Sequence, residues 1–401
     1  MKNKKLAIIW DNLDYGGVES YLIAFINNSK IKNYKVTIIT NSTNKTIQNL
    51  KKKIINKNFN IIIYKPINIF FSKNYFLKII FLIFKPLFFL ASLFQLYFLL
   101  KKRKFDIFIS QCGGFGDLRN DFSSMIIAKL LKFPVRTAVI HHCYTKPITW
   151  SYTINIINYL ISKMCSSLIF VSKATYNNIK KNTLLFKNKK IFCEIINNGI
   201  TLKKLNNKKI IFKEKNTIYA LILSRIERSK GHLEIVKALN YLSVNERKKI
   251  KVYFVGKGKP EFISKIKNEI KIYKLKNNFV FTGFISKDSR EIISNFDILL
   301  SPTRDFEGFG LSVAEALSAG VPVIATKVGG ILDYLNKNNS ILIEPKKPKM
   351  LARSLKLFMN NKQKYKKLAS NGKKLIKKSF TADLMLKKYI NHFTKLEKRN
   401  V

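Results

Sequence analysis

Two carboxylates, Glu307 and Glu315, stand with seven residues between them and frame the run E-G-F-G-L-S-V-A-E. Gly308 and Gly310 lie inside that frame, and Leu311, Ala314 and Leu317 follow at helical spacing. A glycine-bearing loop that opens a helix leaves its first N–H groups without intrahelical acceptors. Together they carry about half a positive charge. With no side chain at Gly308 or Gly310, a ligand can approach those peptides closely. The chemistry on offer is anion binding, with one carboxylate in the loop and the other about a turn into the helix. A structural alternative stands beside it. Ser312 and Glu315 have the spacing of a capping box, in which Glu315 would only satisfy a backbone donor.

Arg225 and Lys230 form a second charged set, in S-R-I-E-R-S-K-G between the apolar run Thr217 to Leu223 and a helix from His232. Positive charge at the carboxyl end of a buried strand is costly unless an anion answers it. Arg can grip phosphate oxygens with a planar fork, and Lys acts as a point charge. In a chain this basic a chance pair carries little weight, so the strand–loop–helix context is what counts. His141 and His142 follow the short strand Val135 to Ile140, at the sheet edge where open α/β folds bind ligands. A histidine pair is also an ordinary loop feature. Gly16 and Gly17 follow a first strand, Leu6 to Trp10, and read either as a phosphate-approach loop or as a plain turn. They are not G-x-G-x-x-G, so a dinucleotide fingerprint is absent.

Positioning these residues takes a scaffold of alternating strands and helices. Pro302 and Gly308 keep the first motif's start out of a helix, Leu311 to Ala319 forms one, Gly320 ends it, and Val321 to Ala325 is a buried strand. Similar runs recur along the chain, and 401 residues suit two Rossmann-like α/β domains better than one core. The formal charge of +52 points toward an anionic partner. The lysines are scattered, however, and no nucleic-acid-binding motif accompanies them, so nucleic acid is not expected as a partner. An anionic membrane surface fits better. The segment Tyr75 to Leu100 is rich in Phe and Leu, with Lys78, Lys85 and Ser92 as a narrow polar stripe and Lys101 to Lys104 as a basic flank. Pro86 should break or kink it, and its longest uncharged run is short of a membrane span. A helix buried in the domain is the other reading. Four scattered cysteines, with no C-x-x-C, speak against a zinc site or disulfide framework and for a reducing compartment. The N-terminus reads as a first strand and not a signal peptide.

The full run E-G-F-G-L-S-V-A-E-A-L-S-A-G-V-P-V-I-A, followed by G-G, resembles the E-x7-E signature of the family 4 retaining glycosyltransferases of the GT-B fold. S-R-x-x-x-x-K-G resembles their diphosphate-binding G-R-x-x-x-x-K-G, with Ser224 in place of Gly. Gly256-Lys-Gly258 resembles V-G-x-G, and Thr282-Gly283-Phe284 resembles the loop that meets the nucleotide base through its backbone. R-T-A-V-I-H-H resembles the segment whose His reaches the donor sugar, with His141 first by register and His142 second. Gly16-Gly17-Val-Glu resembles a loop facing donor phosphate and acceptor. Two further positions depart from the pattern: Thr201 replaces an Asp, and the aromatic expected after Phe380 is missing.

The resemblance covers the second half nearly throughout and the first half only at a few points. It implies a GT-B plan: residues 1–200 as the acceptor-side domain, 201–216 as linker, 217–379 as the nucleotide-sugar domain, and 380–401 as a helix crossing back. It further implies a UDP- or GDP-linked sugar donor, no metal (no D-x-D stands near a strand end), and a glycan or glycolipid acceptor of the lipopolysaccharide or surface-polysaccharide kind. The enzyme would be cytoplasmic, at the inner face of the membrane. In that scheme Arg225 and Lys230 hold the diphosphate, Glu315 the ribose, and Glu307 with Phe309, Gly310 and Leu311 the sugar. His141 would support an oxocarbenium-like transition state from the opposite domain. Two other classes share the scaffold: a nucleotide-sugar epimerase, whose acid/base set is not evident, and a non-catalytic binder of anionic membranes or nucleic acid.

Overall fold

The computed structural model describes residues 4–11, 16–67, 76, 79–80, 83–113, 115, 120–147, 150–187, 191–202, 214 and 216–399. The chain divides into two compact units, Met1–Asn197 with Met385–Val401, and Asn198–Leu384. Most of the expected linker, 203–213 and 215, lies outside the described residues.

The first unit is a parallel sheet of β1 (Lys5–Ile9), β2 (Lys35–Asn41), β3 (Phe59–Tyr64), β4 (Ile107–Cys112), β5 (Val135–Ile140), β6 (Ser167–Phe170) and β7 (Phe192–Ile195). Its spatial order is β3-β2-β1-β4-β5-β6-β7. The inner strands are buried along their length, β4 at all six positions, because helices cover both faces of a parallel sheet. From Met385 onward the last helix, Ala382–Arg399, belongs to this unit. His392 fixes it there. Its Nδ1–H donates to the Glu194 carboxylate at 2.7 Å, and its Nε2 accepts from the Ser167 hydroxyl at 2.8 Å.

Helix Lys85–Leu100 carries Pro86 in its first turn, where no N–H is needed, and the expected break falls just before it, at the Phe84 bend. Lys85, Ser92, Leu96 and Leu100 form its buried face. Residues 71–75, 77–78 and 81–82 of the segment before it, Lys78 included, are outside the described residues. Among the described residues no helix is long and apolar enough to cross a membrane.

The second unit repeats the plan with β8 (Ile218–Leu223), β9 (Ile250–Val255), β10 (Phe279–Gly283), β11 (Ile298–Ser301), β12 (Val323–Thr326) and β13 (Ile341–Ile343), ordered β10-β9-β8-β11-β12-β13. The helix expected from Leu311 to Ala319 has those bounds and ends at Gly320. The strand after it starts two residues later than expected. Val321 N–H is committed to the Ala316 carbonyl and Gly320 N–H to that of Leu317, a Schellman exit, and Pro322 has no N–H to give. Val323 is the first residue free to join the sheet.

Gly231 sets how closely the loops after β8 and β11 approach. Its φ is +78°, and a Cβ there would lie 2.0 Å from the Pro302 carbonyl oxygen. Gly231→Ala is therefore expected to destabilise the protein by about 2 kcal/mol or more, read as a lowered denaturation midpoint. An unchanged midpoint would mean that the loops do not touch in this way. A second expectation concerns pH. Burial lowers His141 and His232 to about 3, and lowers His392 despite its bond to Glu194. These rings are neutral when folded and take up protons on unfolding below their ordinary value of 6.5. Stability is thus unaffected above that pH and falls as pH descends toward 3, by about 1 kcal/mol per pH unit for each of His141 and His232. Urea melts at neutral and mildly acidic pH check this, with His232→Leu expected to flatten part of the slope.

Candidate active site

Strands β8 and β11 are hydrogen-bonded neighbours at the point where the sheet's order reverses. Their outgoing loops therefore emerge side by side at the carboxyl edge, the usual binding crevice of an open parallel sheet. That adjacency brings together residues 77 apart in sequence: Lys230 Nζ donates to Glu307 Oε2 at 2.8 Å. Both side chains are largely shielded, 16% and 18% exposed. Thr303 Oγ1 also reaches Glu307 Oε2, at 3.4 Å.

The backbones interlock as well. Arg304 N–H donates to the Ser229 carbonyl at 2.8 Å, and the Arg304 guanidinium pairs with the buried Glu234 carboxylate. From the loop after β12, Gly330 N–H donates to the Glu307 carbonyl at 2.7 Å. The neighbouring Gly329, at φ +64°, leaves room for that approach, since a Cβ there would meet the Glu307 carbonyl oxygen at 2.0 Å. The loop after β12 thus holds Glu307 by its main chain, while Lys230, from the loop after β8, holds its carboxylate.

Gly308, Phe309 and Gly310 are buried, and Gly310 (φ +78°) caps helix Leu311–Ala319. Ser312 is the second residue inside that helix, so it does not cap it, and the Ser312–Glu315 capping box is not formed. Val313 and Ala314 donate to the Gly310 carbonyl. Among the described residues, no acceptor takes the N–H groups of Leu311 and Ser312. The Phe309 ring is turned inward against Tyr334, 5.1 Å between centroids, so this residue offers a ligand its backbone. Tyr334 Oη lies within donating distance of the Phe309 and Gly310 carbonyls, at 2.9 and 2.8 Å. Burial, with Glu307 nearby, pushes the Tyr334 phenol well above its usual range, so it stays protonated and keeps donating. Glu315 is half-buried, one turn into the helix.

Arg225 is more open, 55% exposed, with Nη1 3.2 Å from Glu227 Oε2. A pair that wet is weak, and a ligand anion can replace Glu227 at little cost. Thr282 and Gly283 are exposed at the end of β10, and Phe284 follows half-buried. Gly256 N–H donates to the Gly283 carbonyl at 2.9 Å, tying that end to the loop after β9. Two strand spacings, about 10 Å, separate β10 from β8. Arg225 and the 282–284 loop share the carboxyl edge with Lys230 and Glu307 without bonding to them.

In the first unit Gly16 caps helix Gly17–Ile26 with extended backbone, while 12–15, the rest of that loop, are outside the described residues. His141 is buried at the end of β5. Its Nε2–H donates to Gln111 Oε1 at 2.6 Å, and Tyr21, from the Gly17–Ile26 helix, sits edge-on to it at 5.0 Å. The Gln111 bond leaves Nδ1 as the unprotonated nitrogen. His142 is only half-buried, its Nδ1 3.2 Å from Cys143 Sγ. Among the described residues no group of three or more His, Cys, Asp or Glu could hold a metal ion.

Sequence reasoning did not single out Thr303, Arg304, Glu234, Tyr334 or Gln111. Arg304 and Thr303 could have been found, since they stand in the motif loop itself. Tyr334 and Gln111 carry no local signal; only the fold brings them to the site.

The sequence profile of the family described as glycosyl transferases group 1 matches residues 203–375. An uncharacterized glycosyltransferase of Methanocaldococcus jannaschii is 29% identical over 216 residues, 53% of this chain and 54% of that protein. The O-antigen chain mannosyltransferase C of Escherichia coli is 25% identical over 171 residues, 41% of this chain and 45% of that one. The chain thus spans about half the length of these two relatives. Among solved structures, Anabaena HepE in complex with UDP-glucose superposes with a TM-score of 0.74 over 98% of this chain and 99% of HepE. At 17% identity, the fold is what the two share. Residues 203–375 thus carry the sequence profile of the group 1 glycosyltransferases, and the two parallel-sheet units share the GT-B fold.

Proposed function

We propose that the chain moves a sugar, with retention at the anomeric carbon, from a nucleotide-diphosphate sugar to a hydroxyl of a lipid-linked or surface-glycan acceptor at the inner face of the cell membrane. The observation that carries this reading is the half-buried Lys230, held by Glu307 at 2.8 Å beside unanswered helix N–H groups. A cation and preorganised donors at one sheet edge are what a departing diphosphate needs. UDP-glucose is bound in the HepE complex, and this favours a UDP-linked donor here over a GDP-linked one.

In this reaction the bond from C1 to the diphosphate oxygen breaks, and the acceptor oxygen bonds C1 on the same face. The acceptor's proton leaves on the departing phosphate. Negative charge grows on the diphosphate, where Arg225, Lys230 and the N–H groups of Leu311 and Ser312 stabilise it. Positive charge grows at C1 and the ring oxygen. A neutral His141 suits that side, because an imidazolium would repel it, and burial keeps this ring neutral. Glu307 and the backbone of Gly308 to Leu311 hold the sugar, and Glu315 the ribose. The exposed ends of Thr282, Gly283 and Phe284 meet the base, and Gly16 and Gly17 the donor phosphate side.

The test is Arg225→Ala combined with Lys230→Ala. The expected result is a fall in kcat/KM of about a thousandfold in protein that circular dichroism shows to be folded. Turnover equal to that of the wild type would remove the diphosphate assignment.

A further inference from the structure

Helix Lys85–Leu100 buries its polar positions Lys85 and Ser92 and leaves a row of apolar ones outward. Leu87, Leu90, Phe94 and Phe98, spaced by three, four and four residues, lie on one face and are 61%, 49%, 65% and 60% exposed. The opposite face, with Leu96 and Leu100 fully buried, packs into the first unit's core. A contiguous apolar row left in water marks a docking surface.

Charge indicates what covers it. The helix runs into Lys101, Lys102, Arg103 and Lys104, all exposed, and Lys101 Nζ sits 4.3 Å over the Phe98 ring. From Ser20 to Phe105 the chain has no Asp or Glu, while sixteen residues are Lys or Arg. A second copy of so basic a chain would be repelled. A protein partner of ordinary interface size needs over about 1,000 Å² and directional hydrogen bonds, and one bare helix row offers neither. A bilayer interface needs only an apolar row beside a basic cap. At 16 residues the helix is about 24 Å long, which suits lying in the interface.

We infer that Leu87, Leu90, Phe94 and Phe98, with the basic run Lys101 to Lys104, dock the protein on an anionic phospholipid bilayer. The row enters the boundary between headgroups and acyl chains, and the basic run meets the lipid phosphates. This deepens the membrane-side location proposed above and rests on it for its use. Vesicle binding is read without nucleotide or sugar, so either reading can fail alone.

The experiment is flotation of the full chain with vesicles of phosphatidylcholine, with and without phosphatidylglycerol. The wild type should float with the anionic vesicles, less so at high salt. Phe94→Ser with Phe98→Ser should weaken binding about tenfold, and Lys101→Glu with Lys102→Glu should abolish the preference for phosphatidylglycerol. Lys366→Glu with Lys367→Glu, an equal charge change on exposed residues of helix Lys362–Ser379, should leave binding unchanged. Circular dichroism confirms that each variant is folded. No flotation of the wild type, or an equal loss from the Lys366/Lys367 variant, would overturn the proposal. So would a wild-type dimer in light scattering that Phe94→Ser with Phe98→Ser dissociates, since a second copy would then cover the row.

Discussion

The pairing of β8 with β11 is the constraint on which the second unit's chemistry depends. Strands separated by some seventy residues of sequence become neighbours because the sheet order reverses between them, and their loops have nowhere to go but against each other. Everything charged at that edge follows. Lys230 can reach Glu307 only because the two loops leave adjacent strands, and the main chain can approach so closely only where Gly231 and Gly329 stand. Glu307 is held at its carbonyl by Gly330 and at its carboxylate by Lys230. The carboxylate is therefore placed before any ligand arrives, and little rearrangement is left to oppose binding.

Much of this was legible in the order of residues. The bounds of helix Leu311–Ala319, its exit at Gly320, and the strand–loop–helix around Arg225 and Lys230 are local features, written in apolar spacing and glycine placement. The parts that were not legible are those that depend on distant contacts. Whether Glu315 closes a capping box turned on which residue caps the helix, and Gly310 does so two residues earlier than the S-x-x-E spacing implied. Tyr334 binds the carbonyls of Phe309 and Gly310 from over twenty residues away, and Gln111 orients His141 across neighbouring strands. The start of β12 slipped by two residues because the Schellman exit and Pro322 together consumed the donors a strand would have used.

The first unit shows the opposite balance. Its sheet is as regular, yet its likeness to known sequence patterns is confined to Gly16-Gly17 and the His141 segment. What distinguishes it is the helix Lys85–Leu100, whose composition alone could not say which face is buried. Periodicity marked Lys85 and Ser92 as a stripe, and the structure buries that stripe. A helix apolar on nearly all sides has no hydrophobic direction of its own, so packing against the unit's core decides which face is left out. The strong positive charge, dispersed along the chain, acquires a local meaning only where it adjoins such a face.

We propose that the edge between β8 and β11 binds a nucleoside diphosphate through protein cations and helix donors. The most direct measurement is a thermal-shift panel of UDP, GDP, ADP and UDP-glucose on the full chain, each with and without EDTA. The uridine compounds should raise the melting temperature, and the rise should persist in EDTA. A shift that vanishes with EDTA, or folded protein that responds to no member of the panel, would contradict the proposal.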